Sequence, residues 1–577
     1  MKTISTRNTF WLLLIVACLT IIPFLGLADF HTKGEPREAV VAHSILESGN
    51  WVLPRNNGGE MPYKPPFFHW GIAAVASVTG GTVGEFASRL PSAIALIAMT
   101  CGGFWFFARR KGKRVGLIAA LVSLTAFELH RAGANCRVDM MLTAFTVGAL
   151  YLFYRWWEHG LKGIPWLAIL LMSCATMTKG PVGSLIPCLA FGVFLLMRGM
   201  NFFQALWRLA LCGLASFVLP LCWYVAAYQQ GGQEFLDLVM EENFGRMTNT
   251  MSYDSCVNPW PYNFLTVATG YLPWILLVIF SLFGLNYRCS GSWAPKSHWQ
   301  RFTAWVRRCD PVDMFSLVCI VVIFVFYCFP QSKRSVYLMP IYPFIAYFLA
   351  QYILYLVDKK SKALTAYGSL LATVALLLAA VIIAFKLEWR PTWLFVGKHG
   401  PEYARMYFAL CWMSSWARLA ILTSVTLALG WFVYVSYCKR RGVEVVYAII
   451  ALTMGLYLAL DVAYQPTVLN TKSQREVAQE IDQIAPASSG VIYEYIQEGE
   501  MAKGDPVHFF EINFYLGDRI QNFLKEQPAE GYLLIIDTDA AANLPRFEAE
   551  GYRFTHIYDS SRPVLHHTAQ LYSFTRQ

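Results

Sequence analysis

The residues with the most chemical potential sit in one early polar stretch, Ala28–Trp70, between two apolar runs. It carries Asp29, Glu35, Arg37, Glu38, His43, Arg55 and Lys64. Glu35 and Glu38 are three apart, so on a helix beginning near Pro36 they share a face. Carboxylates so placed orient or deprotonate an acceptor hydroxyl. They serve equally as the solvated face of an amphipathic helix whose apolar set is Val40, Val41, Ile45 and Leu46, lying on a membrane surface. Lys64 stands in Tyr63-Lys64-Pro65-Pro66. The prolines stiffen the backbone, and a point cation held there suits a phosphate or diphosphate; the plainer reading is an interfacial lysine reaching toward water.

Further along, the same two kinds of group recur at the ends of apolar runs. Asp139 follows Arg131 and Arg137. Lys179 occupies the turn Thr178-Lys179-Gly180-Pro181. Lys333 and Arg334 close another run, with Tyr337 just beyond, and Glu241-Glu242-Asn243-Phe244-Gly245-Arg246 adds acids and a base. Ionisable groups at span ends are costly to bury and often functional. Their bland counterparts are a helix-terminus carboxylate beside the dipole and cations meeting lipid headgroups. Asp537-Thr538-Asp539 is a D-x-D after a strand, and His566-His567 a histidine pair; both patterns are short enough to arise by chance. The fourteen cysteines fall mostly in apolar runs, where they behave as small apolar residues. Cys136 and Cys256 fall in polar loops of one side, which leaves a disulfide between them open. No metal-ligand spacing is present.

The elements that must position these groups are membrane spans. The chain has 577 residues, 56% of them hydrophobic and 15% charged, with a mean hydropathy of +0.41. Soluble proteins carry about 25% charged residues. Apolar runs of about 18 residues or more recur through the first four-fifths, which excludes the short alternating segments of a β-barrel. The net charge of +10 lies in short loops between runs and reports topology rather than nucleic-acid binding. Lys2 and Arg7 keep the N-terminus inside. The first run, Phe10–Leu27, has no clean cleavage site after it and reads as an uncleaved helix. Basic clusters such as Arg109–Arg114 and Lys439–Arg441 mark inner loops. Residues 28–70 and 229–263 are then outer loops within a membrane domain of about thirteen spans over residues 1–470. From Thr471 the composition becomes soluble. Arg475–Ile484 has helical spacing, Val491–Tyr495 and Leu533–Asp537 read as buried strands, and Ala540–Glu550 as a helix before a strand at Tyr552–Tyr558. Residues 471–577 form a small α/β domain on the outer side.

Together these residues resemble the lipid-dependent, integral-membrane glycosyltransferases of the C-type fold. The nearest likeness is to the bacterial aminoarabinose transferases that act on lipid A, with the protein O-mannosyltransferases further off. The resemblance runs over about residues 8–360. The family's Asp-Glu-x-Arg-Tyr-Ala stretch appears as Gly34-Glu35-Pro36-Arg37-Glu38-Ala39, so its leading aspartate is Gly34 and its tyrosine Glu38. Its S-G-D-W-x-x-P step appears as Ser48-Gly49-Asn50-Trp51-Val52-Leu53-Pro54. Its Lys-Pro turn is Lys64-Pro65, its aspartate after span three is Asp139, and its Thr-Lys-Gly turn is Thr178-Lys179-Gly180.

The resemblance implies transfer of a sugar from a polyprenyl-phosphate donor, with inversion, to a lipid A-type glycolipid or another acceptor. Glu35, Asp139 or Glu38 would be the catalytic carboxylate. Arg37, Lys64, Lys179, Arg246, Lys333, Arg334 and Tyr337 would bind phosphate or substrate. In the family an acid before the Lys-Pro turn and a histidine in the second outer loop are associated with a metal; here Tyr63 and Asn243 stand in those places, and no cofactor is expected. The implied setting is a monomer in the bacterial inner membrane, contacting membrane lipids and no nucleic acid, with the tail in the periplasm. A flippase for a lipid-linked sugar, or a protein O-glycosyltransferase, is the alternative.

Overall fold

The computed structural model describes residues 5–245, 257–283, 308–387, 389, 392–397, 400–438, 442–496, 508–564 and 566–577. The chain divides into two compact units. One comprises Met1–Phe24, Ser92–Trp223 and Cys256–Tyr464; the other comprises Leu25–Pro91, Tyr224–Ser255 and Gln465–Gln577. Lys2, Arg246, Cys256 and Lys439–Arg441 lie outside the described residues.

The protein is a multi-pass helical membrane protein. Among the described residues seven helices are long and apolar enough to cross a bilayer, or nine if each of two bent pairs is one span. Four shorter apolar helices, Phe67–Val78, Trp166–Lys179, Val182–Met197 and Pro311–Phe326, accompany them. Two of the expected spans are broken. The third expected span breaks between Lys113–Leu124 and Phe127–Gly133, with a bend of 66°. The eighth breaks between Tyr262–Gly270 and Trp274–Leu282, with a bend of 102°, where Pro273 removes a donor from the helical ladder. Within the expected second outer loop residues 229–240 are helical, as the continuation of the helix Phe202–Met240 past a non-helical Gly232.

In the larger unit, helix Val138–Glu158 packs along Trp166–Lys179, and the latter against Val182–Met197. Their connection needs two glycines. Gly180 has φ +95°, and a Cβ on Gly183 would collide with the main chain of Ala175 and Thr176. Face-to-face rings fill the space between helices, with Phe106 on Tyr151 at 4.3 Å, Phe107 on Tyr347 at 4.4 Å and Phe153 on Phe191 at 4.9 Å.

The other unit holds the early polar stretch and the tail. Helix Gly34–Ser48 ends on Gly49 in the left-handed region at φ 68°. It packs against Phe67–Val78 and the short helix Phe510–Tyr515. Instead of presenting a solvated acidic face, it buries Glu35 and Glu38 along with Val40, Val41 and Ile45.

The tail carries a five-stranded sheet of β1 (Ile492–Glu494), β2 (Ile520–Asn522), β3 (Glu530–Ile536), β4 (Tyr552–Asp559) and β5 (Ala569–Arg576), in the order β2-β1-β3-β5-β4. β1 pairs in parallel with β2 and β3, whereas β5 runs antiparallel to β3 and β4. Alternate residues of β3 serve two cores. Leu534 and Ile536 join Val477, Ile481 and Ile492, and Leu533 and Ile535 join Phe523, Phe547 and Phe574. Asp537 and Asp539 open helix Asp537–Ala549, where acids complement the N-terminal dipole; that accounts for the D-x-D without a metal.

Candidate functional site

The first cluster is built on helix Gly34–Ser48 and the Lys64-Pro65-Pro66 turn. Glu38 is only 5% exposed. One of its oxygens is held by Lys64, and the Arg37 guanidinium lies 3.5 Å from the same oxygen. The other oxygen is 2.9 Å from Nε2 of His69, which is 1% exposed. Burial alone would raise the Glu38 carboxyl, but Lys64, His69 and Arg37 hold it well below the usual carboxylate range. Both cations also flank one ring, with Arg37 5.9 Å and Lys64 5.4 Å from the centroid of Tyr63.

Glu35 lies in a second cluster of the same unit. Its two oxygens accept from Arg89 Nε at 2.9 Å and Nη2 at 3.1 Å. The same guanidinium donates to the carbonyls of Leu25 at 2.8 Å, Ala28 at 2.6 Å and Asp29 at 3.2 Å. Glu35 is 1% exposed and Arg89 2%. Through Arg89 this carboxylate ties the chain after the first span to helix Gly34–Ser48.

The tail joins the early polar stretch within this unit. Arg475 reaches Asp29 at 3.0 Å and also pairs with Glu85, and Tyr515 donates to Glu85 at 2.9 Å. Asn513 donates to Asn57 at 2.7 Å, and Asp518 accepts from the Asn57 main chain at 2.8 Å. A Cβ on Gly58, which has φ +74°, would strike the main chain of Asn522. Glu511 is half-buried, and its Oε2 is buried with no hydrogen-bond partner among the described residues. Burial pushes this carboxyl up to about 8, with Glu35 adding to the rise and the main chain of Gln474 opposing it. Because its native value exceeds the ordinary 4.5, the folded protein keeps a proton that the unfolded chain has released between about 4.5 and 8. Stability therefore falls as pH rises across that window. In melting curves at a series of pH values, Glu511→Gln should gain on the wild type through the window and run parallel to it above.

In the larger unit, Asp139 sits in the first turn of Val138–Glu158 and pairs with Lys179. The Lys179 ammonium lies 4.2 Å from the centre of the Tyr337 ring. Lys333 is 6% exposed, with no ion pair among the described residues. Arg334 Nε is buried and likewise unpartnered there. Nearby in the chain, Ser335 donates to Glu128 at 2.9 Å, and Glu128 is bound by Arg131 at 2.8 Å. The candidates named from sequence thus fall into one group of Arg37, Glu38 and Lys64 and another of Asp139, Lys179 and Tyr337, each within its own unit. Arg246 lies outside the described residues.

Sequence reading missed His69 and Arg89. Arg89 had a signal, since an arginine entering an apolar run demands a partner. His69, a lone histidine among aromatic residues, had none. The residues that stand where the resembled family has metal-associated groups do not fit a metal. Tyr63 lies beneath two cations, and Asn243 donates its amide to the Val239 carbonyl at 2.8 Å. Among the described residues no group of three or more His, Cys, Asp or Glu side chains is arranged to hold a metal ion.

Comparison with known proteins bears on the fold. Residues 63–224 match the family described as dolichyl-phosphate-mannose-protein mannosyltransferase. An uncharacterised protein of Aquifex aeolicus is 26% identical over 59% of the chain and 63% of its own length. An undecaprenyl phosphate-alpha-4-amino-4-deoxy-L-arabinose arabinosyl transferase of Shewanella sediminis is 24% identical over 70% of the chain and 69% of its own length. The chain thus spans just under two thirds of the Aquifex relative and just over two thirds of the Shewanella one. The crystal structure of ArnT from Cupriavidus metallidurans bound to undecaprenyl phosphate superposes with a TM-score of 0.68 at 18% identity, covering 98% of this chain and 97% of that one. The fold is therefore the C-type glycosyltransferase fold. Within that class the chain is similar to the aminoarabinose transferases.

Proposed function

We propose that the protein is a polyprenyl-phosphate-dependent glycosyltransferase of the bacterial inner membrane, working at the periplasmic face on a lipid A-type glycolipid or another acceptor. The observation that carries this reading is the Arg37–Lys64 cation pair over Tyr63, held by a buried carboxylate on the loop after the first span. The Shewanella relative is named for an undecaprenyl-phosphate-linked sugar, and the Cupriavidus structure contains undecaprenyl phosphate.

In this reading Lys64 and Arg37 take the donor's phosphate. The acceptor oxygen attacks the anomeric carbon as the bond from that carbon to the phosphate oxygen breaks, leaving its electron pair on the phosphate. Developing charge there is stabilised by preorganised cations. Lys179, Lys333, Arg334 and Tyr337 are further candidates for anionic substrate groups. Asp139 is the candidate to orient the acceptor and take its proton. Glu35, with both oxygens on Arg89, is assigned to positioning. No metal is required by this reading.

The test is a purified-protein assay with radiolabelled polyprenyl-phosphate sugar and lipid A or envelope extracts. Release of free polyprenyl phosphate coupled to acceptor labelling is expected, and no release with any acceptor extract would sink the proposal. A phosphatase fused after Gln577 should be active, since the tail is assigned to the periplasm; an inactive fusion would place it inside.

A further inference from the structure

The geometry points to a second role for the Glu38 cluster. Glu38 is a resident counter-anion that occupies Lys64 and Arg37 until the donor's phosphate replaces it, and His69 is the positioning residue that retains the displaced carboxylate. This rests on the donor reading above and goes beyond it by removing Glu38 from the candidate bases.

Three observations carry it. First, the exposures are unequal. The side chain of Arg37 is 37% exposed and that of Lys64 14%, whereas that of Glu38 is 7% exposed. An incoming anion meets the cations before the carboxylate, and a general base must itself be within reach of the acceptor's proton. Second, both Glu38 oxygens are already engaged, one by Lys64 and one by His69. When Lys64 and Arg37 turn to a phosphate, the His69 bond at 2.9 Å remains to hold a charge that burial would otherwise make costly. Third, His69 Nδ1 is buried without a hydrogen-bond partner among the described residues. An imidazole that donates through Nε2 leaves a bare lone pair at Nδ1, which costs less than a bare N–H. The ring is therefore set to donate to Glu38.

The exchange has a catalytic consequence. A donor phosphodiester carries one negative charge. When its bond to the anomeric carbon breaks and the electron pair stays on the phosphate oxygen, the leaving monoester carries about 1.5 to 2. A carboxylate competing for Lys64 therefore loses to the leaving group more decisively than to the bound donor. Its presence weakens ground-state binding more than transition-state binding, which is the direction that favours turnover.

The experiment uses the full-length protein in detergent micelles. Binding of undecaprenyl phosphate is measured for wild type, Glu38→Gln, His69→Ala and the double variant, with KM and kcat for the sugar donor. Glu38→Gln should bind undecaprenyl phosphate roughly tenfold tighter, since Lys64 loses its competitor, and the donor KM should fall. Glu38→Asp, which keeps the charge but withdraws it by one methylene, should tighten binding by a smaller factor and serves if the glutamine variant fails to fold. His69→Ala should weaken binding only while Glu38 is present, so the double variant should match Glu38→Gln. Unchanged or weaker binding in folded Glu38→Gln, or a kcat collapse with no change in binding, overturns the counter-anion role while leaving the donor reading intact. Failure of the wild type to bind undecaprenyl phosphate at all overturns the donor reading and this proposal with it.

Discussion

Replacing Lys64 with alanine should lower sugar transfer by roughly 100- to 1,000-fold, the cost typical of removing one preorganised group from a developing negative charge. Lys64 is held in place by the prolines after it, by Tyr63 at 5.4 Å and by Glu38. Little of its positioning entropy remains to be lost when a phosphate arrives. Arginine at this position should restore only part of the activity, because a planar fork does not reproduce a point charge in a site fitted to an ammonium. The substitution has a structural side effect, since alanine leaves the buried Glu38 short of its main cation. The clean comparison is therefore Lys64→Met in the Glu38→Gln background, where no charge is stranded. That double variant should fold as Glu38→Gln does, by size-exclusion profile and melting temperature, and remain inactive in release of polyprenyl phosphate. Turnover near the wild-type rate in a folded Lys64 variant would remove the phosphate role from this lysine.

The contrast between what was readable in the chain and what was not follows from the range of each interaction. Spans were legible because hydropathy is a local sum. The breaks after Leu124 and Gly270 were not, because a helix kinks where its neighbours accept the kink. In the tail, helix Arg475–Ile484 and strands β1, β3 and β4 stood out by periodicity. β2, three residues long, and β5 depend on partners for their definition, β5 being flanked by β3 and β4. In the candidate site, residue types were legible and partnerships were not. Lys64 and Glu38 are 26 residues apart, and Arg89 and Glu35 are 54 apart, and no spacing rule of a single helix connects them. The shared face of Glu35 and Glu38 was real, yet it is buried rather than solvated, because each acid meets its own cation from another element. That difference separates two carboxylates that look alike in sequence. Glu38 touches the cations proposed for phosphate, whereas Glu35 pairs with Arg89.

The second large effect follows from that separation. Arg89→Met should destabilise the protein by about 3–5 kcal/mol, the range for stranding one partner of a buried ion pair. Here the loss includes the hydrogen bonds to the carbonyls of Leu25, Ala28 and Asp29 as well as both oxygens of Glu35. Glu35→Gln should cost less, because an amide oxygen still accepts one of the two guanidinium bonds. The pair Arg89→Met with Glu35→Gln should recover part of the loss, since no buried charge is then unpaired. Thermal unfolding in a fixed detergent ranks the four proteins, and transfer activity below the melting transition gives the functional comparison. If Glu35 only positions the helix that carries Arg37 and Glu38, activity should track stability across the set, and Glu35→Gln should retain substantial turnover at low temperature. A folded Glu35→Gln protein with a normal melting temperature and no activity would mean the reverse. The carboxylate would then act in the reaction itself, and Arg89 would be its positioning partner.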